Sequence, residues 1–116
     1  MRIYIGHANK SNYEEELYTP LKESPIHTLH KIIFPHDTER KNTKESIQTC
    51  DLFIAEVSTA STGLGIELGW ANNFGKKIIC VYKQGTIISR SLKEISNTFI
   101  EYTDAQDLIQ KIQEKI

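Results

Sequence analysis

Five short apolar runs alternate with polar, helix-prone segments along this chain. Residues 2–6 read as a buried strand that ends at Gly6, followed by the polar loop His7-Ala8-Asn9-Lys10-Ser11-Asn12. Ser11 or Asn12 is placed to cap a helix rich in Glu and Leu that extends to about Ser24, with Pro20 expected to kink or shorten it. Residues 28–34 form a second strand candidate closed by Pro35, and His36 to Asn42 is a charged stretch expected to be a mobile loop. Thr43 opens a short helix towards Cys50. Asp51 to Val57 is the strongest strand signal, so nearly continuous in apolar residues that it suits a central parallel strand covered on both faces. The loop Ser58-Thr59-Ala60-Ser61-Thr62-Gly63 leads into a helix from about Leu64 to Phe74, stopped by Gly75. Lys77 to Tyr82 is a buried strand, Gln84-Gly85 a turn, Ser89 to Ile95 a short helix and Thr98 to Tyr102 a strand. Asp104 caps a last helix with Leu108, Ile109, Ile112 and Ile116 on one stripe. This alternation implies one α/β domain over residues 1–116, a parallel sheet with helices on both faces.

Length and charge agree with that reading and narrow the partners. A chain of 116 residues fits a single core. The net charge of −1 points to neither a nucleic-acid polymer nor a membrane surface. Arg40, Lys41 and Lys44 cluster, but acidic residues lie among them, and a solvated loop is the plainer reading. Met1-Arg2-Ile3-Tyr4-Ile5 begins as a strand rather than a signal peptide, and no apolar run is long enough to span a bilayer. Cys50 and Cys80 stand far apart without metal-ligand spacing, which reads as two buried reduced thiols in a cytoplasmic protein. No metal cluster, Walker-type loop or Ser-His-Asp order is present, and no cofactor is expected.

Parallel α/β sheets bind ligands beyond the C-terminal ends of their strands, so the loops after Ile5, Val57 and Tyr82 matter most. The second of these offers the hydroxyls of Ser61 and Thr62, then Gly63 and Gly65 where a helix begins. Unpaired N–H groups at a helix start attract anions, and glycine admits a ligand close to the backbone; many such loops merely cap a helix. Glu67 adds chemistry. It shares a helical stripe with Leu64, Ala71 and Phe74, a stripe that should face the protein. A carboxylate there is costly unless it is paired or near the positive helix end. It is either a structural partner or a carboxylate held at a cleft floor for reaction.

Asp51-Leu-Phe-Ile-Ala-Glu-Val-Ser, then Ser61-Thr-Gly-Leu-Gly-Ile-Glu-Leu-Gly-Trp-Ala, then Lys76-Lys-Ile-Ile resembles the nucleoside 2-deoxyribosyltransferase superfamily, and within it the 2′-deoxynucleoside 5′-monophosphate N-glycosidase branch. The opening Arg2-Ile-Tyr-Ile-Gly is similar to that family's first strand. The resemblance implies a three-layer Rossmann- or flavodoxin-like fold, with a five-stranded parallel sheet in the order 2-1-3-4-5, and a homodimer. It implies a nucleoside or nucleotide substrate whose N-glycosidic bond is cleaved, or exchanged, through a covalent glycosyl–Glu67 intermediate. Tyr4 matches a first-strand tyrosine beside that nucleophile. Ser61 matches a serine that binds the 5′-phosphate, with Gly63 and Gly65 beside it. Ser89, or Ser91, falls near a serine that reaches the neighbouring subunit's phosphate site. Gly6 and His7 fall where the first strand meets substrate.

The chain departs from the pattern in two places: its first loop lacks the family's Gly-Ser form and reads Gly6-His-Ala-Asn-Lys, and the acid position differs. The family's acid, an aspartate on the short helix before the central strand, is replaced by Thr43, which cannot donate that proton. Glu45, Asp37, Glu39 or His7 is a candidate to stand in. The departure keeps two alternatives open: a nucleotide-binding module without turnover, and a glycosidase for another ribosyl compound such as a nicotinamide dinucleotide. Lys10 is a candidate for a phosphate, and Asn9 for a base or sugar. His36 lies at a strand end by the cleft or serves loop structure. His27 and His30 read as surface or satisfied core residues. Trp70 reads as a core or interface residue before a base-stacking one. Glu56 is expected to bond loop backbone rather than to react.

Overall fold

The computed structural model describes residues 1–37 and 42–116; Glu39, Arg40, Lys41 and most of the loop expected after His36 lie outside these. Five parallel strands form one sheet: β1 (Arg2–His7), β2 (Lys31–Ile33), β3 (Leu52–Glu56), β4 (Lys77–Lys83) and β5 (Thr98–Tyr102), in the order β2-β1-β3-β4-β5. The sheet order is the one the family resemblance implies. β1 is threaded between β2 and β3, pairing Ile3 with Ile32 on one side and with Leu52 on the other.

Side chains alternate across a strand, so each central strand feeds two cores. Ile3, Ile5, Ile54, Ile79 and Val81 point to a face covered by Leu17, Tyr18 and Leu21 of the first helical segment, and by Leu108 and Ile112 of α5 (Ala105–Lys115). Tyr4, Phe53, Ala55, Ile78 and Cys80 point to the opposite face, under Ile47 of α3 (Thr43–Thr49) and Leu64, Leu68 and Ala71 of α4 (Thr62–Asn73). Burial on both faces is why Asp51 to Val57 reads as a continuous apolar run. Both thiols are buried, and burial pushes Cys80 up to about 11 and raises Cys50, so both stay protonated at neutral pH.

Three elements differ from the sequence reading. The first helix is a π-helical turn, Glu14–Tyr18, running into α1 (Thr19–Lys22). The Thr19 N–H reaches back to the Glu14 carbonyl, and this wide turn leads directly into Pro20, which has no N–H to offer. Neither Ser11 nor Asn12 caps it by side chain: the Ser11 hydroxyl donates to the Ala8 carbonyl, and the Asn12 amide reaches Glu15. Residues 28–34 are not one strand. Thr28 and Leu29 close a helix, α2 (Pro25–Leu29), started by Pro25, and the strand begins only where Lys31 meets Arg2 of β1. Leu29 is accordingly 73% exposed. Finally, α4 starts at Thr62 rather than near Leu64, because Ser61 caps it, its Oγ accepting the Leu64 N–H at 3.1 Å. In the last helix Asp104 caps as expected, accepting the Asp107 N–H at 2.8 Å, while Ile116 at the end of the stripe is 37% exposed.

Candidate active site

The end of β1, the loops that follow β1, β2 and β3, and the start of α4 enclose a cleft of roughly 400 Å³. That is within the range of small-molecule sites, about 300–1,000 Å³. Glu67 lies in its wall, only 8% exposed, on the stripe of α4 that carries Leu64 and Ala71. The Tyr4 hydroxyl donates to Glu67 Oε2 at 2.8 Å. Tyr4 itself is wholly buried, its ring 5.0 Å from that of Phe53. A rigid phenol from β1 thus orients a carboxylate from α4, two segments 63 residues apart.

The other resemblance-derived residues fall into two groups. Ser61 and Gly63 line the same cleft as Glu67, on the first turn of α4. Gly65 and Ser89 line a neighbouring groove of roughly 320 Å³, which shares Thr59, Ala60, Ser61 and Leu64 with the first. Ser91 borders that groove too, and Ser89 accepts the Ser91 N–H at the start of a 3-10 turn, Arg90–Glu94. A Cβ on Gly63 or Gly65 would meet nothing, so both leave the α4 backbone open to a ligand. Gly6 does something else. It is buried, and a Cβ there would stand 2.5 Å from the Phe53 ring and 3.0 Å from Leu64, so it lets β1 pass beneath both.

His7 borders the cleft but is 4% exposed, with both ring nitrogens bonded inside the protein. Nδ1 lies 3.0 Å from the Ala8 carbonyl, which only accepts, so Nδ1 carries the proton. Nε2 lies 2.7 Å from the Tyr18 hydroxyl. Burial pushes the Tyr18 phenol far above its ordinary value, so that oxygen keeps its proton, and in the Nδ1–H tautomer Nε2 accepts it as a hydrogen bond. The same hydroxyl accepts the His36 N–H at 3.2 Å.

Of the candidates to replace the missing acid, Asp37 is exposed and paired with Lys22, and Glu45 is exposed on α3. Glu39 lies outside the described residues, and Thr43 is the half-exposed first residue of α3. Among the described residues, Glu67 is the one carboxylate lining the cleft. Lys10, Asn9, Pro35 and His36 complete its far wall. Trp70 lies outside it, half-buried beneath the Lys44 ammonium at 5.7 Å. His27 is exposed beside Phe34, and His30 meets the N-terminal amine.

Glu56 has more partners than the sequence reading foresaw. Its carboxylate accepts the Ser58 N–H and hydroxyl and the Tyr102 hydroxyl, and Ser58 Oγ accepts the Lys83 N–H. This knot ties the ends of β3, β4 and β5 to the loop that carries Thr59, Ala60 and Ser61. Tyr102 and Tyr18 carried no sequence signal for these roles, because their partners come from distant segments.

The sheet is parallel in the order β2-β1-β3-β4-β5, and a tyrosine-bound glutamate sits on the helix after its central strand. The chain belongs to the nucleoside 2-deoxyribosyltransferase superfamily. It is similar to the solved structure of the CMP N-glycosidase BcmB of Clostridium botulinum, at 30% identity over 97% of this chain and 99% of that one, with a TM-score of 0.68. It is 37% identical over 51 residues to the human 5-hydroxymethyl-dUMP N-hydrolase, a match spanning 42% of this chain and 29% of that relative's length. A conserved protein from Enterococcus faecalis V583 shares the fold at 16% identity, with a TM-score of 0.69. No family model matches the chain. Among the described residues no helix is long and apolar enough to cross a membrane, and no group of three or more His, Cys, Asp or Glu is placed to hold a metal.

Proposed function

We propose that this chain is an N-glycosidase that releases the base from a nucleoside 5′-monophosphate through a covalent glycosyl–Glu67 intermediate. The observation that carries the reading is a buried carboxylate held by Tyr4 in the wall of a cleft that also holds the N-terminus of α4. Ser61 and the first N–H groups of α4 receive the 5′-phosphate, which the positive helix end favours. Lys10 adds a positive charge at the mouth. That anchoring sets C1′ against Glu67, whose negative charge stabilises the oxocarbenium-like transition state before bonding to it. Water then frees the sugar phosphate; capture by a second base instead would make the same site a transferase. Two relatives named for cleavage of pyrimidine nucleotides support this substrate class. The reading includes a homodimer in which Ser89 of each copy adds to the partner's phosphate site. The 98% exposed Ile87 beside the apolar second groove supports such a contact.

The test is incubation with a panel of ribo- and deoxyribonucleoside 5′-monophosphates, unphosphorylated nucleosides and nicotinamide dinucleotide, with released base measured by chromatography. Base should come fastest from a pyrimidine 5′-monophosphate. Glu67→Gln should lower that release by at least about a thousandfold with the fold retained. Full activity in that variant would sink the nucleophile assignment. A second reading, a nucleotide-binding module without turnover, rests on Thr43 in the acid's place. It predicts that monophosphates raise the melting temperature while no base is released.

A further inference from the structure

If the site cleaves an N-glycosidic bond, the base must leave with a proton, and Thr43 cannot give one. We propose that His36 is the general acid that protonates the departing base. The inference rests on the N-glycosidase reading and goes beyond it in assigning the proton donor.

Three described residues of the cleft wall carry a group able to donate a proton from nitrogen: His7, Lys10 and His36. His7 is committed elsewhere, with Nδ1 on the Ala8 carbonyl and Nε2 accepting from Tyr18. Lys10 is exposed at the mouth of the cleft, where the proposed function sets its charge against the phosphate and away from the base. An imidazole ordinarily titrates near about 6.5, where general acid catalysis is most effective.

The surroundings of His36 hold it in place. Its backbone N–H donates to the Tyr18 hydroxyl, which in turn donates to His7, so the hydrogen bonds run one way from His36 to the Ala8 carbonyl. Its ring centroid lies 4.7 Å from that of His7 and 4.9 Å from that of Tyr13. Pro35 stiffens the backbone immediately before it. Among the described residues, the titratable groups facing this position are His7 from β1, Tyr13 and Tyr18 from the π-helical segment, Glu67 from α4 and Lys10 from the first loop; Asp37, next in the chain, is paired with Lys22. A donor fixed this way meets the requirement that catalytic groups be oriented before substrate arrives.

The chemistry balances. As Glu67 forms its bond to C1′, the C1′–N electron pair passes to the base, and the imidazolium proton of His36 goes to that base, which leaves neutral. In the second half, neutral His36 takes a proton from water as the water oxygen attacks C1′ and Glu67 departs as a carboxylate. His36 then stands protonated for the next turnover.

The test compares His36→Asn and His36→Gln with the wild type on two substrates. One is CMP or 5-hydroxymethyl-dUMP, whichever the wild type cleaves faster. The other is the 4-nitrophenyl glycoside 5-phosphate of the same sugar, whose phenolate departs without a proton. Both variants should lose about 10²- to 10⁴-fold in kcat/KM on the nucleotide and less than about tenfold on the activated substrate. The fall of wild-type kcat/KM as pH rises through the imidazole range should vanish in the variants. Equal losses on both substrates, or no loss on the nucleotide, would overturn the assignment while leaving the N-glycosidase reading intact. No cleavage of either substrate by the wild type would overturn both.

Discussion

At the scale of single residues, the site rests on one contact. Glu67 was legible as an acidic residue on an inward-facing stripe, because helical spacing alone sets it beside Leu64 and Ala71. Its partner was not legible from spacing, since Tyr4 sits 63 positions away and only the sheet brings them together. A hydrogen bond to a charged group is worth about 1.5–3 kcal/mol. Tyr4→Phe should therefore lower kcat by about ten- to a hundredfold with KM little changed, because the carboxylate loses its orientation and not its charge. Steady-state kinetics on the preferred nucleotide, with circular dichroism to check folding, would decide; an unchanged kcat would show that Tyr4 does not orient the nucleophile. His7 shows the opposite limit of sequence reading. Its position at the end of the first strand suggested a proton donor. Its bonds to Ala8 and Tyr18 make it a strut.

At the scale of elements, the parts with strong periodicity came through and the short ones did not. β3 is buried along its whole length and α4 buries one stripe, Leu64, Glu67, Leu68 and Ala71, so burial pattern and secondary structure agree. The second strand reads too long because the β-branched Thr28 and the apolar Leu29 both suit a strand. Pro25 starts a helix there, and nothing local says that pairing with β1 waits for Lys31. The π-helical turn before Pro20 was equally hidden, since a kink and a widened turn are alternative answers to one missing N–H. Gly6 marks where β1 and α4 close on each other. Gly6→Ala should destabilise the fold by about 1–3 kcal/mol through overpacking against Phe53 and Leu64. Urea unfolding would measure this, and a midpoint equal to wild type would mean that the Phe53 ring yields more readily than its burial implies.

At the scale of the whole molecule, the sheet divides labour between its two faces. One face, under the first helical segment and α5, is mostly aliphatic core. The other carries Tyr4, Phe53 and α4 with Glu67, so the cleft opens where that second core reaches the carboxyl edge. The Glu56 knot spans three strands at that edge, and it fixes the backbone leading to Ser61 before any ligand is present. The consequence is calorimetric. Nucleotide binding here should carry only the modest negative heat-capacity change of the surface the ligand covers. It should lack the larger one of a loop that folds on binding. Titration calorimetry of CMP against Glu67→Gln at several temperatures would give that slope. In a Ser58→Ala variant, where the knot loses its link to Lys83, the slope should steepen as loop ordering moves from the free protein into the binding step.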